Sequence, residues 1–501
     1  MKAFKWMPVV AAVSLALTGC GSSSKSGGGP GPGPTPPPST TYTWQMVYLK
    51  SEVKSSVPSS CAVYATDTSV NGNVIVAYRG NENSNILIHN ADGSVKEKRH
   101  PNTLGKITIS ENDIPSNGFV SVEELDGTIG NEQDVYLFSV QKALMSDLTI
   151  NVRRTSAAST SCYTTGESFT EVDVNSDAVI NIGQVSTSTE YYQTSYIDAA
   201  TSGKQVGTGV GVKSELPAQD KVLVTLFDSY NGLSGQKKEL THYQLADKSM
   251  VYDVNGSSSQ SVNPTNQGVI RPGLTINGVT LDNNNANRID VAYASEVYEW
   301  QPIYQTSANY SYVTDQAPFS SWSFFLNGEV DVSNWKYHAM LPAKGNALNI
   351  VAPSLTAFNS TVESSCASGS DFCLSSSGFT ASDFDVQRTH LRANTTNSSR
   401  VFYQTIYSAP SAEVPLMKSS TETLLPDSNN NRMEVSLAKL TASENAVKYF
   451  MGKSIDVQLL TGNSTRNYFD VNGPVTQKTS AINRYIALMG ESLTVVSAGK
   501  N

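Results

Sequence analysis

A period of about 100 residues constrains this chain more than any other feature, because self-similarity at a fixed spacing fixes the architecture before any strand is assigned. An apolar or small residue followed by proline recurs at Ile114-Pro115, Leu216-Pro217, Ala317-Pro318 and Val414-Pro415, with proline spacings of 102, 101 and 97. A polar, hairpin-like loop follows each proline: Asp126-Gly127, Asp228 to Gly232, Asn327-Gly328 and Asp427 to Asn431. Asp, Asn and Gly tolerate the positive φ that tight hairpins need. A further apolar strand follows each loop: Val135–Val140, Leu240–Leu245, Trp335–Leu341 and Met433–Leu440. The tripeptide Tyr-Gln-Thr occurs at 192, 304 and 403, and reads as a shared strand core.

The runs inside each period are short and alternate. Val222, Val224 and Leu226 interleave with Leu223, Thr225 and Phe227; Trp322, Phe324 and Leu326 do the same, as do Val120 and Val122. Helical periodicity is scarce, with room for a turn or two at 135–146 and 436–451. The expected fold class is all-β: tandem β-sandwich-like repeats at 42–154, 155–256, 257–356 and 357–501, the last with a C-terminal extension. Residues 86–122 resemble half of a small prealbumin-like sandwich of bacterial surface proteins, through Ala91-Asp92-Gly93-Ser94-Val95, Gly105-Lys106-Ile107, Ile114-Pro115 and Phe119-Val120-Ser121-Val122.

The N-terminus follows a secretory pattern. Lys2 and Lys5 precede an apolar run from Trp6 to Leu17, too short to span a bilayer as a helix. Leu17-Thr18-Gly19-Cys20 resembles the lipobox of bacterial lipoproteins. That resemblance implies a signal peptide over 1–19, cleavage before Cys20 and acylation of Cys20; Gly21 and Ser22, with no Asp after the Cys, imply the outer membrane of a Gram-negative cell, either surface-exposed or facing the periplasm. Several acyl chains, at about 0.8 kcal/mol per buried CH₂, anchor a protein stably. Residues 20–41 form a lipidated cysteine plus a Gly/Ser/Pro/Thr tether, stiffened by Pro30, Pro32, Pro34, Pro36, Pro37 and Pro38.

Cysteine usage agrees with export. Beyond Cys20 there are four: Cys61, Cys162, Cys366 and Cys373. Four cysteines permit three pairings. The short Ser/Gly-rich stretch favours Cys366 with Cys373, which leaves Cys61 with Cys162. Cys61 and Cys162 are also one period apart, and equivalent positions in separate modules should lie beyond the reach of a disulfide.

The net charge is −9, or −11 once Lys2 and Lys5 leave with the signal. An acidic body argues against nucleic acid and against a polybasic membrane contact. No metal site or cofactor is expected. His89, His100, His242, His338 and His390 are scattered and lack ligand spacing, and His242 and His338 read as surface strand residues. There is no Gly-x-Ser-x-Gly elbow. Asp427, Asn429 and Asn431 imitate a calcium loop, but Arg432 replaces its glycine and no Glu closes it.

One aromatic stripe carries a binding expectation. Tyr298, Trp300, Pro302 and Tyr304 share a strand face, which makes Tyr298, Trp300 and Tyr304 a candidate glycan platform, or else an inward core face favoured by Glu299 and Gln301 opposite. The expected function is non-enzymatic: a surface lipoprotein with a structural or adhesive role, held to the membrane by its lipid and facing a surface or appendage protein or a glycan. Layout and anchor resemble the sheath lipoproteins of membrane-covered flagella. Alternatives are a glycan-binding module and an exported hydrolase.

Overall fold

Short alternating apolar runs bounded by turn residues are realised as strands almost throughout. The computed structural model describes residues 39–500, except 68–69, 71, 81–83, 130–131, 154–161, 165–172, 181–188, 197–198, 205–209, 217–219, 230–236, 254–261, 284–286, 315–317, 397–399, 427–430, 442 and 453–472. The signal segment, Cys20 and nearly all of the tether lie outside the described residues, as do Asp427 and Asn429 of the calcium-like loop.

The fold is all-β and sandwich-like. Each period contributes four antiparallel strands. The first holds β1 (Asn85–His89), β2 (Val95–Arg99), β3 (Phe119–Ile129) and β4 (Glu132–Gln141). The second holds β5 (Thr189–Tyr196), β6 (Ala199–Lys204), β7 (Lys221–Ser229) and β8 (Lys237–Asp247). The third holds β9 (Arg288–Tyr293), β10 (Glu296–Pro302), β11 (Ser321–Val330) and β12 (Lys336–Pro342). The fourth holds β13 (Val386–Thr395), β14 (Val401–Ser408), β15 (Arg432–Leu440) and β16 (Leu493–Lys500). In all four the spatial order is second-first-third-fourth.

A second element recurs. An early strand of each period pairs antiparallel with the strand near the marker proline: Thr41–Val53 with Lys106–Ser110, Asp173–Ile180 with Val210–Leu216, Val269–Ile270 with Tyr312–Val313, and Cys373–Ser377 with Glu413–Pro415. In the first period this layer packs Trp44, Met46, Ile107 and Ile109 onto Val120, Val122, Phe138 and Val140.

The Tyr-Gln-Thr marker does not mark equivalent places. Tyr192 lies on β5, a first strand; Tyr403 lies on β14, a second strand; Tyr304 lies past the end of β10. There Gln305 caps a ladder by accepting from Leu281 N and donating to Val279 O. The fourth period also departs from the others. Its polar loop precedes the third strand, and its third and fourth strands are separated by α2 (Glu444–Gly452) and α3 (Lys478–Leu488). A single-turn helix, α1 (Lys248–Val251), follows β8.

Periods one, three and four do not form separate sheets. Their strands join in one 14-stranded sheet, ordered β10-β9-β11-β12-β16-β15-β13-β14-β4-β3-β1-β2, with Val279–Leu281 and Leu424–Leu425 as short additions. The joints are β12 with β16, antiparallel, and β14 with β4, parallel. The latter brings together strands more than 250 residues apart in sequence. A strap from the fourth period crosses this seam. Glu123, fully buried on β3, accepts from Ser419 Oγ, Ser420 N, Ser420 Oγ and Asn85 Nδ2 at 2.5–2.7 Å. Lys418 N donates to Gly93 O. Gly93 has φ +80°, and a Cβ there would sit 2.5 Å from Leu416 O, so only glycine fits beneath the strap.

The central strands are buried on both faces, as in β13, where every residue but Arg392 is buried. β5 to β8 form their own sheet and lie against β10: Ser195 Oγ donates to Glu299 O, and Tyr243 packs on Trp300.

Two disulfides are present, Cys61–Cys162 and Cys366–Cys373. The spacing paradox dissolves because Cys162 and Tyr163 pair with the first period. Ala62 N donates to Tyr163 O, and Tyr163 N to Ala77 O.

His89, at the end of β1, supplies a pH dependence. Its Nδ1 donates to Gly93 O at 3.0 Å, which leaves a buried Nε2 with no partner. Burial pushes its pKa down to about 4, partly countered by the Gly93 hydrogen bond. The unfolded chain takes up this proton near pH 6.5, whereas the fold resists until about 4. The stabilisation is therefore whole above pH 6.5 and drains away as pH falls to 4, by about 3 kcal/mol. Urea midpoints at pH 7.5 and 4 should converge in His89→Gln relative to the parent; an equal acid loss in both excludes His89 as the source.

Candidate functional site

The aromatic stripe is core. Trp300 is 0 % exposed and Tyr298 is 1 %. Trp300 Nε1 donates to Ser311 O at 2.8 Å, and its ring meets Trp322, Phe319 and Tyr243. Tyr304 is half-buried beyond the strand end. The glycan-platform expectation for Tyr298, Trp300 and Tyr304 is thereby corrected: Trp300 is enclosed by other rings, Tyr298 is buried, and Tyr304, half-buried beyond the strand end, does not continue a platform. β5 to β8 cover the side of β10 that alternation alone leaves open.

The histidines also need revision. His338 is not a surface residue: it is 5 % exposed, with Nδ1 against Asn327 Oδ1 and Nε2 against Tyr449 OH. His89 and His390 are buried as well. Among the described residues one group has metal-like geometry, Cys366, Cys373 and Glu413, but its two sulfurs are joined in a disulfide and offer no thiolate.

Two polar clusters lie on the face of the large sheet that α2 and α3 cover in part. In the first, Arg288 Nε donates to Asp290 Oδ1 at 2.7 Å and Tyr485 OH to Asp290 Oδ2 at 2.6 Å. Burial works against the Arg288 charge, but Asp290 and Glu299 outweigh it and raise its pKa. Burial, then Asp290, holds the Tyr485 hydroxyl well above its ordinary value. The groups satisfy one another and tie α3 to β9, a structural use.

The second cluster spans the seam. Glu124, Tyr136, Tyr403, Arg392 and Arg432 stand in register on β3, β4, β14, β13 and β15, one transverse row over five strands. Strands about 4.8 Å apart make this row about 19 Å long. Tyr136 and Tyr403 stack at 5.4 Å across the parallel joint. The Arg153 guanidinium lies 3.7 Å over the Tyr136 ring, and Arg392 Nε donates to Tyr403 OH at 3.1 Å. Arg400 bridges to Asp134 at 3.1 Å and Arg153 to Asp126 at 3.6 Å. Burial of Tyr136 pushes its hydroxyl up to about 12.

Behind this row, toward the core, Arg388 and Glu434 form an ion pair at 2.5 Å with both side chains at most 2 % exposed. Ser436 Oγ donates to Glu434 Oε1, and Ser497 Oγ to Ser436 Oγ. His390 Nδ1 meets Thr405 Oγ1 at 2.7 Å.

Among the described residues, five arginines thus lie in or beside one row: Arg153, Arg388, Arg392, Arg400 and Arg432. The sequence carries only a fragment of this, the alternation Arg388-x-His390-x-Arg392; its other members are brought in by pairing at long range. Of these, Arg388 is buried and paired with Glu434, and Arg153 and Arg400 are paired with Asp126 and Asp134, so the charges are engaged within the protein.

No family model matches the chain, and neither the curated proteins nor the solved structures contain a match to it.

Proposed function

We propose that this chain is a non-enzymatic surface lipoprotein, anchored through Cys20 in the outer membrane, with a structural or adhesive role on the envelope or on a sheathed appendage. The observation that carries the reading is the lipobox-like Leu17-Thr18-Gly19-Cys20 followed by a proline-stiffened tether that runs directly into the strand Thr41–Val53. Two disulfides suit an oxidising compartment. A continuous sheet across three periods suits a body that bears load at a surface rather than one that opens around a substrate. The prominent buried charges, Arg388 with Glu434 and Arg288 with Asp290, are spent on internal pairing.

The test is incorporation of labelled palmitate together with protease shaving of intact cells. The parent should take up label and be cut by external protease, and Cys20→Ser should take up none and leave the envelope fraction. An unlabelled parent, or a Cys20→Ser chain that still pellets with envelopes, ends the anchoring argument. Co-purification with the appendage fraction separates the sheath role from a general envelope coat.

A further inference from the structure

The strap of the fourth period closes over one face of the first. Asn85, Leu87 and His89 share that face of β1, opposite Glu123, Ser121 and Phe119 of β3. Leu87 and Phe119 belong to one core cluster with Leu416 and Met417 of the strap. Polar links flank these apolar groups. On one side Glu123 is the common acceptor for Ser419 Oγ, Ser420 N and Ser420 Oγ. On the other, Gly93 O accepts from both Lys418 N and His89 Nδ1. The approach is close: a Cβ on Gly93 would meet Leu416 O at 2.5 Å and Met417 Cε at 3.4 Å. Residues 416–423 join no strand ladder, whereas β1 beneath them is laddered to β2 on one edge and β3 on the other. The strap is therefore the part that opens at least cost.

We propose that the strap is an acid-released clasp: a proton taken up by His89 frees residues 416–422 from the seam while the sheet beneath stays folded. Neutral His89 spends its one N–H on Gly93 O. Its Nε2 is buried and meets no partner among the described residues, so a second N–H there has nothing to donate to. The charged groups around it are engaged elsewhere. Asp92 accepts from Ser94 N and Ser94 Oγ, Glu123 from Asn85 and the strap, and Glu422 from Gln133 N, while Lys418 Nζ pairs with Asp371. Burial holds the imidazole pKa down at about 4, against the pull of the Gly93 hydrogen bond and the Glu123 and Asp92 charges. Lifting the strap uncovers the Gly93 turn and admits water to the ring, which then titrates near its ordinary 6.5. Opening is thus linked to proton uptake: it gains nothing above pH 6.5 and grows as pH falls toward 4. Between pH 7.5 and pH 4 the opening equilibrium shifts on the order of 100-fold.

The experiment uses the full-length chain purified in detergent and reads the oxidation of buried thioethers by peroxide. A thioether carries no titrating proton, so its own reactivity is the same across this pH range. Met417, 2 % exposed, reports the strap, and Met340, 0 % exposed on β12, reports the sheet. In the parent, Met417 should oxidise on the order of 100-fold faster at pH 4 than at pH 7.5, with Met340 protected at both. His89→Gln should abolish that acceleration, because its amide can donate to Gly93 O but does not titrate. Glu123→Gln should speed Met417 oxidation already at pH 7.5, and Ser420→Ala, a milder change, should do so in part. The contrast between Met417 and Met340 in the parent needs no variant to fold. The proposal is overturned if Met417 is equally protected at both pH values, if Met340 oxidises in step with it, if folded His89→Gln keeps the acceleration, or if folded Glu123→Gln and Ser420→Ala both leave Met417 as slow as in the parent at pH 7.5.

Discussion

Removing the Cys61–Cys162 bridge, as Cys61→Ala with Cys162→Ala, should cost about 4.7 kcal/mol, roughly twice the loss from removing Cys366–Cys373. The two bridges close loops of very different length, with sequence separations of 101 and 7. Chain-entropy reasoning gives about 4.7 kcal/mol for a loop near 100 residues and about 2.4 kcal/mol for one near 7. The long bridge does a second job. It holds residues 162–163 on the edge of the Asn73–Arg79 strand, over a small cluster of Val57, Val63, Val74 and Val76 that is separate from the main core. Guanidinium unfolding of both double variants, read as midpoint at constant slope, gives the comparison. Equal losses, or a larger loss at Cys366–Cys373, would show that local strain and packing outweigh loop length here.

Much of the strand content is legible in the chain, and the reason is local. Val222–Phe227 and Trp322–Leu326 carry period-2 patterning, and turn residues bound them. The marker prolines work because in every period the strand that pairs with an early strand precedes the proline in the chain or ends at it. Joining the periods is another matter. β4 and β14 have ordinary strand sequences, and nothing in either says that it leaves an edge for the other. The strap that seals this joint depends on Glu123, which alternation alone places on a strand face without saying that four donors from two distant segments will meet it. The same gap explains Trp300: Gln301 and Glu299 mark the opposite face, but Trp322, Phe319 and, from β8, Tyr243 enclose the ring through contacts that alternation does not reveal. It also explains the arginine row, whose members come from β13, β15, the loop before β14 and the segment after Leu148–Asn151. A charged residue in a strand reads as solvent-facing unless the layer above it is known. α3 is the remaining omission, because its polar Lys478–Leu488 sequence has weak apolar periodicity and takes its place by packing, with Tyr485 reaching Asp290.

Glu434→Ala should destabilise the protein by about 3–5 kcal/mol, although the pair it breaks adds little net stability. Arg388 is 2 % exposed, and its guanidinium is held by a carboxylate that is itself 1 % exposed. Deleting the carboxylate takes its counter-charge from a cation that water reaches poorly, and the cost is that of breaking a buried ion pair on one side. Replacing both partners, as Arg388→Met with Glu434→Leu, should recover most of the loss, because two apolar side chains of similar volume extend the neighbouring core of Val386, Tyr407 and Ala438. What the ion pair supplies is register. Arg388 lies opposite Ser436, and His390 opposite Glu434, so the pair is diagonal across β13 and β15. A slip of one residue in either strand would turn a charge into the opposite face, among Leu391, Ala393, Val435 and Leu437. These strands sit at the middle of the large sheet, are buried on both faces and carry polar residues on each, Gln387 and Thr389 on one and Arg388 and His390 on the other, so hydrophobic patterning alone selects their pairing weakly. The double variant should therefore keep its stability while amide exchange along β13 and β15 becomes heterogeneous. A Glu434→Ala loss below about 1 kcal/mol would mean that water or another anion reaches Arg388. Uniform exchange in the double variant would mean that register is set elsewhere, by the β15–β16 ladder or by the Tyr136–Tyr403 joint.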